Sequence, residues 1–218
     1  MVSQLQALQD QQNTSNSNPQ TLVRIRHTCA HIMAMAVQNL FPETQVTIGP
    51  WTETGFYYDF DRSEPFTPED LNQIEAEMRR IIKANLPIIG EEVPREEMRT
   101  EIEKLGEPYK LEILESIPTD EPVTRYYIGF PDSIPVEAGE PSLFKTVPPT
   151  TKPNNQDYWW DLCEGPHLTF TGEINPDAFA LESVAGAYWR GDEKQPQLQR
   201  IYGTAWETPE QLQAYLTQ

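Results

Sequence analysis

The chain has three histidines and two cysteines in 218 residues. All five stand in two short segments, His27-Thr28-Cys29-Ala30-His31 and Asp161-Leu162-Cys163-Glu164-Gly165-Pro166-His167. We treat the segments as halves of one site. In the first, two imidazoles stand four residues apart, so a helix would put them on one face, one turn apart. That spacing suits a metal-binding or catalytic pair, and suits two polar residues on a helix face equally well. The metalloprotease form of the motif carries a glutamate directly after the first histidine as its base. Thr28 stands there instead, which disfavours peptide hydrolysis by that route. In the second segment Gly165 and Pro166 argue against a helix. Cys163 and His167 are therefore expected on a bent loop at the end of a strand, where the backbone can aim both side chains at one point. A turn with a core cysteine and a solvated histidine is the plainer alternative. Together, His27, His31, Cys163 and His167 satisfy the ligand count of a tetrahedral zinc site. They equally satisfy a metal-free hydrolytic site, in which a neutral histidine orients or deprotonates water.

Three further residue types add chemistry. Asp161 lies two residues before Cys163, so a strand would place both on one face; it could orient a histidine or bind a hydroxyl or amine, or be a surface carboxylate. Lys110, flanked by apolar residues, could oppose a developing oxyanion, although periodicity alone favours a solvated lysine. Strand alternation sends one of Tyr57 and Tyr58 inward, and sheet packing is the simplest use of either.

The elements that must position these groups are legible in part. A helix from about Leu22 to Leu40 carries His27 and His31, with Ile25, Cys29, Ile32, Ala36 and Leu40 at helical spacing; Pro42 ends it. Residues 45–49 and 55–60 read as strands, the second rich in aromatics. Thr67 caps a helix with Pro68 at its first position and acids in its first turn. Leu71, Ile74, Met78, Ile81 and Ile82 form that helix's apolar face. Residues 86–93 return as a strand. Pro94 opens a charged helix with Met98, Ile102 and Leu105 inward, closed by Gly106. Residues 108–117 fit neither period cleanly. Strands are expected over 122–130 and 157–162, then in 167–172, 178–191 and 198–206, with a last helix capped at Thr208. Residues 1–20, rich in Gln, Asn and Ser, read as a disordered lead-in, and Pro-rich residues 131–155 as a long loop or insertion. Strands and helices mix without regular βαβ alternation. The fold class is therefore α+β with a largely antiparallel sheet, and 21–218 is read as one domain.

A hydrophobic content of 38%, with five Trp, nine Tyr and eight Phe, is enough for a core. The formal charge of −18 argues against general coating of nucleic acid or anionic membrane. It leaves room for a small basic patch that docks one end of an RNA. No apolar run approaches the ~20 residues that span a bilayer, and no signal peptide is visible. A cytoplasmic chain with reduced thiols and no membrane partner is expected.

Read in order, RHTCAH, IGPWTETGFYYDFD, YKLEIL, DLCEGPH, AGAYWRGD and QRIYGTAW resemble the N-terminal editing domain of bacterial-type threonyl-tRNA synthetases, a relative of the alanyl-tRNA synthetase editing domain. The resemblance covers roughly residues 24–216. It implies hydrolysis of the ester joining serine to the terminal ribose of mischarged tRNA(Thr). It also implies that His27, His31, Cys163 and His167 form the core of the site, that Lys110 and Asp161 match functional positions, and that Tyr58 matches a substrate-side tyrosine. No cofactor is required on this reading, and zinc is possible through the four His/Cys side chains. The implied partners are the tRNA(Thr) 3′ end carrying serine and an aminoacylation domain or separate synthetase. The small N-terminal domain of many relatives and an aminoacylation domain are both missing here, so a fragment and a free-standing editing protein both remain open. The alternative class is a zinc-binding or tRNA-binding module without hydrolysis; retention of all four His/Cys positions argues against it. The acidic balance predicts weak tRNA binding by the isolated chain.

Overall fold

A computed structural model describes residues 19–130 and 157–217. The lead-in (apart from Pro19 and Gln20) and the Pro-rich stretch 131–155 lie outside the described residues. The fold is α+β with antiparallel sheets, as the irregular mixing of elements predicts.

Its centre is helix α1, Pro19–Leu40. It starts three residues before the predicted Leu22. Between residues 25 and 37 every side chain except His27 is buried. The predicted single apolar face is therefore too narrow: α1 is covered all round, which is what a helix threaded through a core requires. Of the positions predicted inward, Leu40 alone is on the surface, at 36% exposure.

Two sheets flank this helix. The first, in order β1-β2-β7-β6, joins β1 (Gln45–Val46), β2 (Gly55–Asp61), β7 (Gln197–Ala205) and β6 (Phe179–Tyr188). In β2 the alternation divides the tyrosines. Tyr58 points into the core at 0% exposure, while Tyr57 stands opposite Tyr202 on the outer face and lies under Arg200, whose guanidinium is 3.9 Å from the ring. Gly49 matters here, because a Cβ at that position would lie 2.1 Å from the Tyr58 ring. Helix α2 (Pro68–Ala84) packs on α1; Thr67 and Asp70 form the reciprocal cap that closes its start.

The second sheet, β3-β4-β5, comprises β3 (Ile88–Glu92), β4 (Thr124–Gly129) and β5 (Tyr158–Leu162). Strand β5 puts consecutive tryptophans on opposite faces. Trp159 joins the main core around α1, and Trp160 joins a second cluster with Met98, Ile102 and Leu114. That cluster lies under helices α3 (Arg95–Leu105) and α4 (Pro108–Ser116). Asp161 follows Trp159 by two residues and so faces α1 with it.

Two expectations change. Residues 108–117, ambiguous by period, are helix α4. Its buried side chains serve two places, Tyr109 against Trp189 and Leu114 in the second cluster, so no single periodic face exists. Residues 167–172 are not a strand. Phe170 makes one bridge to Pro87, and the chain then turns through a 3-10 turn at Thr171–Glu173, with both the Thr169 and Phe170 amides donating to the Glu173 carboxylate. Helix α5 (Pro209–Leu216) ends the described fold, capped at Thr208 as expected.

Candidate active site

The two His/Cys segments meet because α1 passes the end of β5. The segment after β5 stays pinned to β4: the Cys163 amide donates to the Thr124 carbonyl at 3.2 Å, and the Thr124 hydroxyl donates to the Cys163 carbonyl at 2.6 Å. The chain then bends at Gly165, whose φ is +81°, a backbone region that side chains other than glycine seldom adopt. The bend returns His167 to α1. There the three imidazoles gather, with ring centroids 4.1 Å apart for His27–His167, 4.2 Å for His31–His167 and 5.2 Å for His27–His31, the last pair edge-on.

Cys163 Sγ sits between two of them, 3.4 Å from His27 Nε2 and 3.2 Å from His167 Nε2. It also accepts from the Gly165 amide at 3.2 Å. The outer nitrogens have partners as well. His27 Nδ1 lies 3.2 Å from the Pro166 carbonyl, which can only accept, so that nitrogen carries a proton and Nε2 offers a lone pair. His167 Nδ1 lies 3.2 Å from the Thr28 hydroxyl.

Behind His31 is a buried polar cluster. Asp161 accepts from the Tyr58 hydroxyl at 2.6 Å and pairs with the Lys110 ammonium. His31 Nε2 is 3.8 Å from the same carboxylate. Lys110 and Asp161 are only 2% and 3% exposed. Trp159 and Trp160 lie 5.4 and 5.8 Å from the ammonium, adding aromatic faces to its surroundings. The solvated lysine that periodicity favours is thus excluded; α4 turns Lys110 inward onto Asp161.

Burial sets the protonation. It holds the imidazoles of His31 and His167 well below their ordinary range, and that of His27 below it. All three rings are therefore neutral at pH 7. Burial also pushes the Cys163 thiol up to about 12, so Sγ is protonated and a poor nucleophile. Cys29 and Cys163 are both free thiols.

His27, His31, Cys163 and His167 bring four donor atoms within 4.8 Å of one another, a set that could hold zinc. The observed N···S separations fall near the ~3.5 Å edge of a tetrahedron built from bonds of about 2.3 and 2.0 Å. The His27 Nδ1–carbonyl contact is the usual outer hydrogen bond of a ligating imidazole. The residues fit the metal.

All seven predicted residues thus converge on one locality. Sequence reasoning missed four neighbours. Thr28 was read only as the absence of glutamate. The Tyr126 ring lies 4.6 Å from His167, and the Trp159 ring 5.4 Å from His31. Arg24 Nη1 donates to the His167 carbonyl at 3.1 Å. The position of Arg24, one turn before Thr28 on α1, was the available signal. Arg24 and Pro166 also line a surface depression of about 340 Å³ with Pro19, Gln20 and Val23. Among the described residues no helix is long and apolar enough to cross a membrane.

Residues 154–202 match the threonyl and alanyl tRNA synthetase second additional domain. The chain is 58% identical over 200 residues to a threonine–tRNA ligase of Gloeobacter violaceus, covering 92% of this chain and 27% of that protein. A Synechococcus elongatus threonine–tRNA ligase is 59% identical over 194 residues, 89% of this chain and 27% of that one. The chloroplastic/mitochondrial threonine–tRNA ligase 2 of Arabidopsis thaliana is 54% identical over 202 residues, 93% and 27%. The chain thus spans about a quarter of the length of these curated relatives. Residues 154–202 are thus similar to the second additional domain of threonyl- and alanyl-tRNA synthetases, and the chain is similar to the threonyl enzymes along nearly its whole length, as its motifs lead one to expect.

Proposed function

We propose that the chain hydrolyses the ester bond of seryl-tRNA(Thr), as the editing part of a cytoplasmic threonyl-tRNA synthetase or in trans. The observation that carries this reading is the pairing of neutral imidazoles at the end of β5 with a buried Lys–Asp–Tyr cluster behind them. An aminoacyl ester is already activated, so the site need only place a water and oppose charge on the carbonyl oxygen. His27 suits the base. It is the one residue of 25–37 that is not buried, its Nδ1–H is held by Pro166, and its Nε2 lone pair faces the site. Water adds to the seryl carbonyl as His27 takes its proton. The ester C–O bond then breaks, and the ribose hydroxyl leaves with that proton. Lys110 is the cation on hand for the oxyanion. Asp161, which accepts from Lys110 and Tyr58, keeps lone pairs for the seryl ammonium or hydroxyl. Serine is selected by size, with the extra methyl of threonine excluded from the pocket. The net charge of −18 means that most tRNA docking comes from the attached or separate synthetase. The test is deacylation of Ser-tRNA(Thr) by the purified chain beside His27→Ala. Serine release that disappears in the variant supports the reading, and release no faster than in buffer sinks it.

The four convergent donors favour a second reading, a zinc centre held by His27, His31, Cys163 and His167. With every position taken by protein, such an ion would be of the structural type, fastening α1 to the loop after β5. Metal analysis of the purified protein, with deacylation before and after chelation, separates the two. One zinc per chain with no ester hydrolysis favours the centre alone.

A further inference from the structure

Thr28 stands inside the His/Cys cluster, and no part of the proposed chemistry uses it. Its side chain is buried at 1% exposure. Its hydroxyl oxygen has two partners, the Leu168 amide at 3.1 Å and His167 Nδ1 at 3.2 Å. The amide can only donate, so it occupies a lone pair of the hydroxyl. The hydroxyl's own proton then has one acceptor, His167 Nδ1. We infer that Thr28 is a positioning residue: it donates to His167 Nδ1 and thereby fixes His167 as the Nε2–H tautomer.

The consequence reaches His27. With Nε2–H in place, His167 donates to Cys163 Sγ, which also accepts from the Gly165 amide. The sulfur has its own proton, and the remaining unprotonated nitrogen beside it is His27 Nε2. His27 Nδ1–H in turn donates to Pro166. Four hydrogen bonds therefore run in one direction, from Thr28 through His167, Cys163 and His27 to the Pro166 carbonyl. Direction matters because it makes His27 Nε2 the acceptor that faces the thiol, and a substrate water that displaces the thiol proton from this lone pair meets it as a base. The opposite tautomer would expose a competing lone pair on His167 Nε2, and the thiol proton would be shared between two rings. The catalytic consequence rests on the proposed ester hydrolysis; the tautomer itself does not.

The test uses chain labelled with 15N in its histidine rings, stripped of metal, and read at neutral pH. Only three histidines contribute, so each ring can be assigned. In wild type and in Thr28→Ser, His167 shows a protonated Nε2 and an unprotonated Nδ1. In folded Thr28→Val the ring shifts towards the Nδ1–H form or a mixture, and kcat for seryl-tRNA(Thr) falls about 10–100-fold with KM little changed. A hydroxyl that only holds the Leu168 amide would leave the tautomer unmoved in Thr28→Val, which overturns the inference. So does an Nδ1–H His167 in wild type, a reading that needs no variant to fold. If the tautomer behaves as stated but wild type releases no serine, the hydrolytic reading fails and the role of Thr28 stands.

Discussion

Lowering the pH from 7.5 to 5.5 should destabilise this protein, and the loss should come from one site. His31 and His167 are 3% and 5% exposed, and burial holds both imidazoles well below their ordinary range. In the unfolded chain each titrates near the ordinary value of about 6.5. Below that pH the unfolded state binds protons that the folded state refuses. Stability is therefore fully present above pH 6.5 and is lost as pH falls below it. At pH 5.5 the loss is about 1.4 kcal/mol for each ring that stays neutral when folded, or about 3 kcal/mol for the two. His27, whose pKa is also lowered by burial, acts in the same direction. Against a typical total of 5–15 kcal/mol, such a loss is easily seen. The assay is urea unfolding of metal-free protein at pH 7.5, 6.5 and 5.5. With an m-value of about 2 kcal/mol/M, the midpoint drops by about 1.5 M, roughly three quarters of it between 6.5 and 5.5. No histidine lies outside the site, and pH 5.5 stays above the pI of 4.4. A midpoint that stays flat or rises over this range would refute the claim that these rings are buried and neutral.

Other perturbations probe the same arrangement. Asp161→Asn leaves the Lys110 ammonium buried without its anion and should cost about 3–5 kcal/mol in urea unfolding; adding Lys110→Met should recover part of that loss. Gly165→Ala forces a side chain into φ +81° with its Cβ 2.6 Å from the Tyr126 hydroxyl. It should displace Cys163 and His167 and cut serine release more than tenfold while the far-UV spectrum is kept. Because the Cys163 thiol is pushed up to about 12, iodoacetamide at pH 7.5 should label folded, metal-free protein at least about 100-fold more slowly than a free cysteine. Mass spectrometry of the labelled chain reads this, and rapid labelling of Cys163 would contradict it.

What the sequence made legible follows from locality. The convergence of His27, His31, Cys163 and His167 could be anticipated because few such residues exist and all occupy two segments. Gly165-Pro166 announced the bend that aims the second segment. The caps at Thr67, Gly106 and Thr208 are short-range chemistry and stand where they were read. Long-range pairings were not legible. Lys110 and Asp161 are 51 residues apart, and no local period states that a lysine on a short helix will turn inward to a strand. Helix α4 resisted assignment because two clusters share its side chains. Residues 167–172 have strand composition, yet Glu173 folds back on their amides and ends the extension. Thr28 was visible in the motif, but its value depends on Leu168 and His167 arriving from about 140 residues away.

The central claim is that a water-activating pocket for a seryl ester lies between α1 and the loop after β5. The most direct measurement is the first-order rate of amino-acid release from Ser-tRNA(Thr) and from Thr-tRNA(Thr), with the same purified chain under the same conditions. The account predicts that serine is released well above the buffer rate and at least tenfold faster than threonine, and that His27→Ala abolishes the difference. Equal release of the two amino acids, or no release of either above buffer, would contradict it.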